Sequence, residues 1–282
     1  MAYGARRGGR RASRLPGKLL RLLLPVIDPM PLPSPGHLAL LVLASLLAGA
    51  LNAVAGGGSF LTFPALVLAG VPPVIANATS TVALLPGTFV SAWAYRGDIG
   101  AARGTLPMTA FVLVSLLGGA AGSILLLLTP EQLFVAIVPW LLLFGTLVFA
   151  LGRSLTDVLR RHGRIGVPAL VAAQALIGIY GGYFGGGIGI LMLAMLGLYG
   201  MTEIHAMNGV KTVLAGCMNV VAAAIFIVAR AVWWREALIM LFAAIAGGWV
   251  GPVLARQVAP ARLRLFVVVV GLAMTAWFFT RS

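Results

Sequence analysis

Gly49-Ala50-Leu51-Asn52-Ala53-Val54-Ala55-Gly56-Gly57-Gly58 and Gly178-Ile179-Tyr180-Gly181-Gly182-Tyr183-Phe184-Gly185-Gly186-Gly187 are two copies of one glycine-centred block. Setting the triple glycines against each other gives an offset of 185 − 56 = 129, and Gly49 and Gly178 fall on the same offset. Other landmarks keep step: Asn77 and Thr81 match Asn208 and Thr212 at offset 131, Gly118 to Gly122 match Gly247 to Gly251 at 129, and Leu133-Phe134-Val135 match Leu265-Phe266-Val267 at 132. The chain therefore reads as a duplication. In a membrane protein, apolar segments broken by glycine at matching places in two halves point to a transporter binding site.

Composition places the chain in the membrane. Of its 282 residues 61% are hydrophobic and 9% charged, with mean hydropathy +1.05, against roughly 25% charged in a soluble domain. Apolar stretches at His37 to Ala53, Val74 to Ala94, Thr105 to Leu128, Leu133 to Leu151, Val167 to Phe184, His205 to Val228, Ala237 to Leu254 and Leu263 to Phe279 approach or exceed the ~20 residues that cross a hydrocarbon core as helix. The expected fold is an all-α polytopic membrane protein of about eight transmembrane helices in two homologous four-span repeats. Each repeat carries a short segment after its glycine triplet, Phe60 to Ala69 and Ile188 to Leu198, read as a half-helix. Broken backbone at membrane depth is tolerated only where protein or a water-filled cavity surrounds it, so both breaks should line an interior site.

The expected organisation is a basic cytoplasmic tail over 1–36, a first repeat over 37–151, a basic cytoplasmic linker over 152–166 and a second repeat over 167–282. The net charge of +14 does not indicate nucleic acid, because the bases gather in the tail (Arg6, Arg7, Arg10, Arg11, Arg14, Lys18, Arg21) and in loops, where they meet anionic headgroups. Placing the tail inside with eight crossings puts Arg96, Arg103 and the Gly152 to Ile165 loop inside, and leaves the Arg256 to Arg264 loop outside. Crossing by the short segments would instead make the repeats inverted. The eight-span reading is favoured, and neither satisfies every loop. The single Cys217 excludes an intrachain disulfide and any multi-cysteine metal site.

All six acids, Asp28, Asp98, Glu131, Asp157, Glu203 and Glu236, fall in the tail, in loops or at segment boundaries. The interior thus offers no carboxylate to a cation. Lys211, by contrast, lies seven residues into an apolar span with Asn208 one turn before it and Thr212 beside it. An intramembrane ammonium is costly, and such groups face a cavity or a partner; the plainer alternative is a lysine near enough to the interface to snorkel. Gly56, Gly57, Gly58, Gly185, Gly186 and Gly187 could be packing glycines. Their pairing, with a short segment after each, favours backbone breaks whose following helices present unpaired amides to an anion. Gly118, Gly119, Gly122, Gly247, Gly248 and Gly251 read as packing glycines. Hydroxyls and amides cluster at Asn77, Thr79, Ser80 and Thr81 and again at Asn208 and Thr212, where the asparagines either cap helices or touch substrate. Asn52 and Asn219 lie in apolar surroundings and need partners. Ser59 and His205 raise an intramembrane serine hydrolase, but Gly58-Ser59-Phe60 lacks the glycine after serine of a nucleophile turn and no acid orients the histidine.

At these residues the sequence resembles the sulfite exporter TauE/SafE family of membrane transporters, also called the 4-toluene sulfonate uptake permease family. Asn52 to Pro64 and Ala76 to Gly87 are similar to its first signature, and Gly185-Gly186-Gly187 with Met207 to Thr212 to the repeat of it. The resemblance covers about residues 37 to 280. It implies a bacterial inner-membrane permease, not an enzyme, moving sulfur-containing anions such as sulfite or sulfonates, with an anion channel or structural membrane protein as the alternative. The candidate substrate contacts are Asn52, Gly56, Gly57, Gly58, Ser59, Asn77, Thr79, Ser80, Gly185, Gly186, Gly187, Asn208, Lys211 and Thr212. No cofactor and no metal are expected, the partners are a small anion and membrane lipids, and homo-oligomerisation stays open. No phosphate-binding loop ending in Lys-Ser or Lys-Thr is present, so transport would draw on a gradient instead of ATP.

Overall fold

The computed structural model describes residues 34–54, 56–99, 107–161, 166–255 and 260–280; the tail expectation lies outside the described residues. These form α1 (Pro35–Val54), α2 (Ser59–Leu68), α3 (Pro73–Ala94), the four-residue α4 (Arg96–Ile99), α5 (Met108–Leu128), α6 (Glu131–Arg161), α7 (Val167–Tyr183), α8 (Ile188–Tyr199), α9 (Ile204–Val228), α10 (Trp234–Ala255) and α11 (Pro260–Phe279). No strand occurs among them. The boundaries follow local chemistry. Proline opens α3 at Pro73, where its missing N–H costs nothing, the Glu203 side chain accepts from Ala206 N at 2.8 Å to cap α9, and Gly200 at φ +111° ends α8.

All eight expected spans are helices, and both short segments are separate short helices. Six helices are long and apolar enough to cross a membrane: α1, α3, α5, the Glu131–Leu151 part of α6, α9 and the Trp234–Gly251 part of α10. α7 has 17 residues, short of that length. The basic linker expected over 152–166 is helical as far as Arg161, because α6 runs on without a break.

Hydrogen bonds between helices fix their directions. Gln174 Nε2 donates to Ser115 Oγ at 2.8 Å near the starts of α7 and α5, and Tyr183 Oη donates to Thr129 Oγ1 at 3.3 Å at their ends, so these two helices run together. α3 and α10 also run together, since Trp233 N donates to Thr79 Oγ1 near their starts and Gly87 meets Gly248 further along. α1 joins that set: Gly247 abuts Leu46, Gly251 abuts Ala50, and Tyr95 Oη beyond the end of α3 donates to Ala53 O near the end of α1 at 3.2 Å. Asn77, near the start of α3, donates to Tyr183 O at the end of α7 at 2.9 Å. The two sets therefore oppose one another. Because α1 and α3 run the same way, the glycine break and α2 carry the chain back between them, and the favoured reading of short segments that do not cross gives way. Ten residues of helix supply roughly 15 Å of that return.

Glycine makes the tightest contacts. A Cβ on Gly118 would lie 2.9 Å from Gly178 Cα, one on Gly182 2.9 Å from Gly119 Cα, and one on Gly251 2.7 Å from Ala50 Cα. Lipid offers apolar side chains the same environment that a neighbouring helix does, so close backbone approach supplies the association that the hydrophobic effect cannot. α5 thereby packs on α7, and α1 on α10. Around the first break, Phe63 of α2 packs on Phe134, Phe184 and Phe278 at ring distances of 6.3, 5.6 and 5.7 Å, which pins the short helix between α6, α7 and α11.

Candidate functional site

The two glycine breaks end their helices in the same way. Gly56 N donates to Leu51 O at 3.1 Å and Gly185 N to Tyr180 O at 3.2 Å, and both glycines hold left-handed φ, +76° and +80°, which other residues adopt only at a cost. The breaks then meet. A Cβ on Gly56 would stand 2.7 Å from Gly189 Cα in the first turn of α8, and one on Gly185 3.6 Å from Ser59 Oγ in the first turn of α2. Each break therefore packs on the helix that follows the other.

Beside them is a cavity of about 40 Å³, walled by Asn52, Gly56, Gly57 and Ser59 at the first break, Gly185, Ile188 and Gly189 at the second, Thr81, Leu84, Thr88 and Ser91 of α3, and Lys211, Thr212, Ala215 and Asn219 of α9. Along α3 these positions lie roughly 12 to 27 Å into a helix of roughly 33 Å, and along α9 roughly 10 to 22 Å into roughly 37 Å. The site is at mid-height of the two central helices.

Its polar groups fall into two kinds. Thr81, Thr88, Ser91 and Thr212 donate their hydroxyl protons to the carbonyls of Asn77, Leu84, Gly87 and Asn208 in their own helices and show the cavity lone pairs only. Asn52 Oδ1 accepts from Gly58 N at 2.7 Å, which ties the end of α1 to the residue before α2 and leaves the Asn52 NH₂ as a donor. No backbone acceptor among the described residues takes the amides of Ser59, Ile188 or Gly189. Lys211 is 2% exposed, so it does not snorkel, and its Nζ donates to Asn208 Oδ1 at 2.9 Å. That oxygen is neutral, and no acid among the described residues is on the wall. A buried cation held only by an amide lacks the countercharge that normally offsets its desolvation.

Of the expected contacts, Asn52, Gly56, Gly57, Ser59, Gly185, Lys211 and Thr212 line this cavity. Gly58, Gly186 and Gly187 sit behind the wall, where Gly186 packs on Phe184 and Phe60 and Gly187 on Gly145. Asn208 stands behind Lys211 as its partner. Asn77, Thr79 and Ser80 are turned away: Asn77 to Tyr183 O, Thr79 to Trp233 N, and Ser80 to the Thr62 hydroxyl at 2.6 Å. Reading them as ligands followed their position at a helix start and ignored the helical face. The face was legible, since 81, 84, 88 and 91 make one stripe of α3 and 212, 215 and 219 repeat the first three at offset 131. His205 is exposed at the start of α9 and not on the wall with Ser59, so the hydrolase alternative loses its Ser-His pair. Among the described residues no cluster of His, Cys, Asp and Glu could hold a metal ion.

Residues 41–278 match the family model described as Sulfite exporter TauE/SafE. A probable membrane transporter protein, ORF9, of a Sinorhizobium species is 32% identical over 242 residues, spanning 84% of this chain and 90% of its own. Probable membrane transporter proteins of Haemophilus influenzae (29% over 241 residues, 85% and 93%) and of Escherichia coli K12, YfcA (28% over 247 residues, 86% and 90%), are similar throughout. No solved structure matches the chain.

Proposed function

The chain belongs to the sulfite exporter TauE/SafE family and is a multi-pass membrane transporter, not an enzyme; from that premise we propose that it is a secondary transporter for a small sulfur oxyanion or organosulfonate such as sulfite, in the bacterial inner membrane. One observation carries the reading. Lys211 is buried at mid-height on the cavity, held by a neutral oxygen, with no acid of the described residues on the wall. An anion supplies the missing charge, and Asn52, Ser59 and the amides opening α2 and α8 supply donors to its oxygens, as helix N-termini do for anions generally. Size favours the compact members of the class. At the ~10–15 Å³ one water centre needs, 40 Å³ suits a group of a few heavy atoms, closer to sulfite or methanesulfonate than to an aryl sulfonate.

Reconstituted vesicles test this directly. Labelled sulfite and methanesulfonate should exchange against unlabelled substrate on the far side, the counterflow of a carrier; toluenesulfonate and a cation such as choline should not compete. Lys211→Gln should insert normally and lose at least tenfold in flux. Unimpaired flux in that variant, or flux of cations in preference to anions, would remove the reading, and flux without counterflow would turn it to a channel.

A further inference from the structure

Four buried polar residues that leave the cavity free are nonetheless engaged in one place. Asn77 ties the start of α3 to the last residue of α7, Thr79 ties it to the residue before α10, and Ser80 ties it to Thr62 of α2. Thr81, the next residue, is on the cavity wall. These bonds therefore close one end of the cavity, joining four helices across it.

The other end, reached along α3 through Thr88 to Ser91, is tied differently, by Tyr95 Oη beyond α3 to Ala53 O of α1, with no counterpart of the Asn77 set among the described residues. The positions that correspond to Thr62, Asn77, Thr79 and Ser80 at the repeat offsets of 129 and 131 are Leu191, Asn208, Val210 and Lys211. Leu191 and Val210 carry no polar group. Asn208 is buried with its oxygen spent on Lys211 inside its own helix, and no hydrogen bond joins it to another helix among the described residues. The position equivalent to Tyr183, whose carbonyl Asn77 holds, is Val54 at the end of α1. The wall is lopsided in the same sense: Asn52, Ser91 and Lys211 line it, and their counterparts Gly181, Ala222 and Ser80 do not.

Matching helices of the two halves run in opposite directions: α1 against α7, α3 against α9. If the halves exchanged conformations, the ties of the Asn77 end would pass to the Asn208 end. We propose that Asn77, with Thr79, Ser80 and Thr62, is the closed gate of this transporter, and that a transport cycle requires the Asn77 to Tyr183 bond to break while the Asn208 end closes. The inference rests on the transporter reading but not on which anion is carried. Asn77 is thus a positioning residue that touches no substrate.

Accessibility tests it. In a Cys217→Ala background, Ser91→Cys should react with a membrane-impermeant methanethiosulfonate from one face of oriented vesicles only, and adding Asn77→Ala should admit the reagent from the opposite face at least tenfold faster. Equal labelling from both faces with Asn77 intact, or labelling unchanged by Asn77→Ala, overturns the gate. Because Asn77→Ala can disturb folding, Thr79→Val, a near-isosteric change that removes the tie to Trp233 N, provides a second variant: it should likewise admit the reagent faster from the opposite face, whereas labelling as in the Ser91→Cys parent would overturn the gate. Should the protein carry no sulfur oxyanion, the labelling result still decides the gate, so the two readings fail separately.

Discussion

Asn52 performs two tasks with one carboxamide. Its oxygen accepts from Gly58 N just before α2 and its NH₂ adds a donor to the wall beside Lys211. The tasks separate by substitution. Asn52→Ala loses that hydrogen bond, worth ~1 kcal/mol, and one donor; Asn52→Asp keeps the acceptor and sets a carboxylate on the cavity. If the site holds an anion through Lys211, Asn52→Asp should lower anion affinity about tenfold or more, equivalent to ~1.4 kcal/mol, with thermal stability in detergent close to that of the unaltered protein. Asn52→Ala should show the reverse ranking, losing stability more than affinity. Equal anion affinity in Asn52→Asp would mean that the carboxamide does not face the substrate. Lys211 itself was legible in the sequence because an ion in an apolar span has few bland explanations. Asn77, Thr79 and Ser80 were not, because polarity at a helix start looks the same whether the groups meet a ligand or a neighbouring helix. Asn219 was legible as an amide in apolar surroundings, and the Lys211 stripe extended two turns along α9 puts it on the wall.

Helix by helix, the glycines divide by what surrounds them. Gly56 holds φ +76° with Gly189 Cα in the path of a side chain, so Gly56→Ala incurs roughly 1–2 kcal/mol of backbone strain and must also push α8 from the break. Gly216, inside α9, has nothing nearer than 3.8 Å to an added methyl. There an alanine gains helix propensity of ~0.8–1 kcal/mol. Unfolding in detergent, followed by light scattering or intrinsic fluorescence, should therefore rank Gly216→Ala at or above the unaltered protein and Gly56→Ala well below it. Similar midpoints for the two would show that the break tolerates rearrangement. The elements themselves were readable, since Gly-Gly-Gly followed by ten to twelve apolar residues yields α2 and α8 within a residue or two of expectation. Their course was not, because hydropathy reports the length of a segment and not whether it turns back; the bonds Tyr95 to Ala53 and Asn77 to Tyr183 carry that information.

The helix directions, taken over the whole molecule, sort the connections onto two faces. The ends of α1, α3, α6 and α10 share one face, and the connections there bear Arg96, Arg103, Arg153, Arg160, Arg161, Arg164, Arg256, Arg262 and Arg264. The other face has Arg230 and Arg235 at a turn and Arg281 after α11, and of the basic tail only Lys18 and Arg21 fall within the ~15–20 residues of a span that weigh on orientation. On this count, nine against five, we propose that the arginine-bearing connections face the cytoplasm. The start of α1, expected inside from the charge of the tail, is then outside, and the cavity end at Ser91 faces inward. Fluorescent-protein and alkaline-phosphatase reporters separate the two arrangements: a fusion placed within residues 162–165 should fluoresce and lack phosphatase activity, and one placed within 229–233 should do the opposite. The reversed pattern would return the tail to the cytoplasm and turn the Ser91 end outward. The gate would keep its residues and change only the side on which it closes.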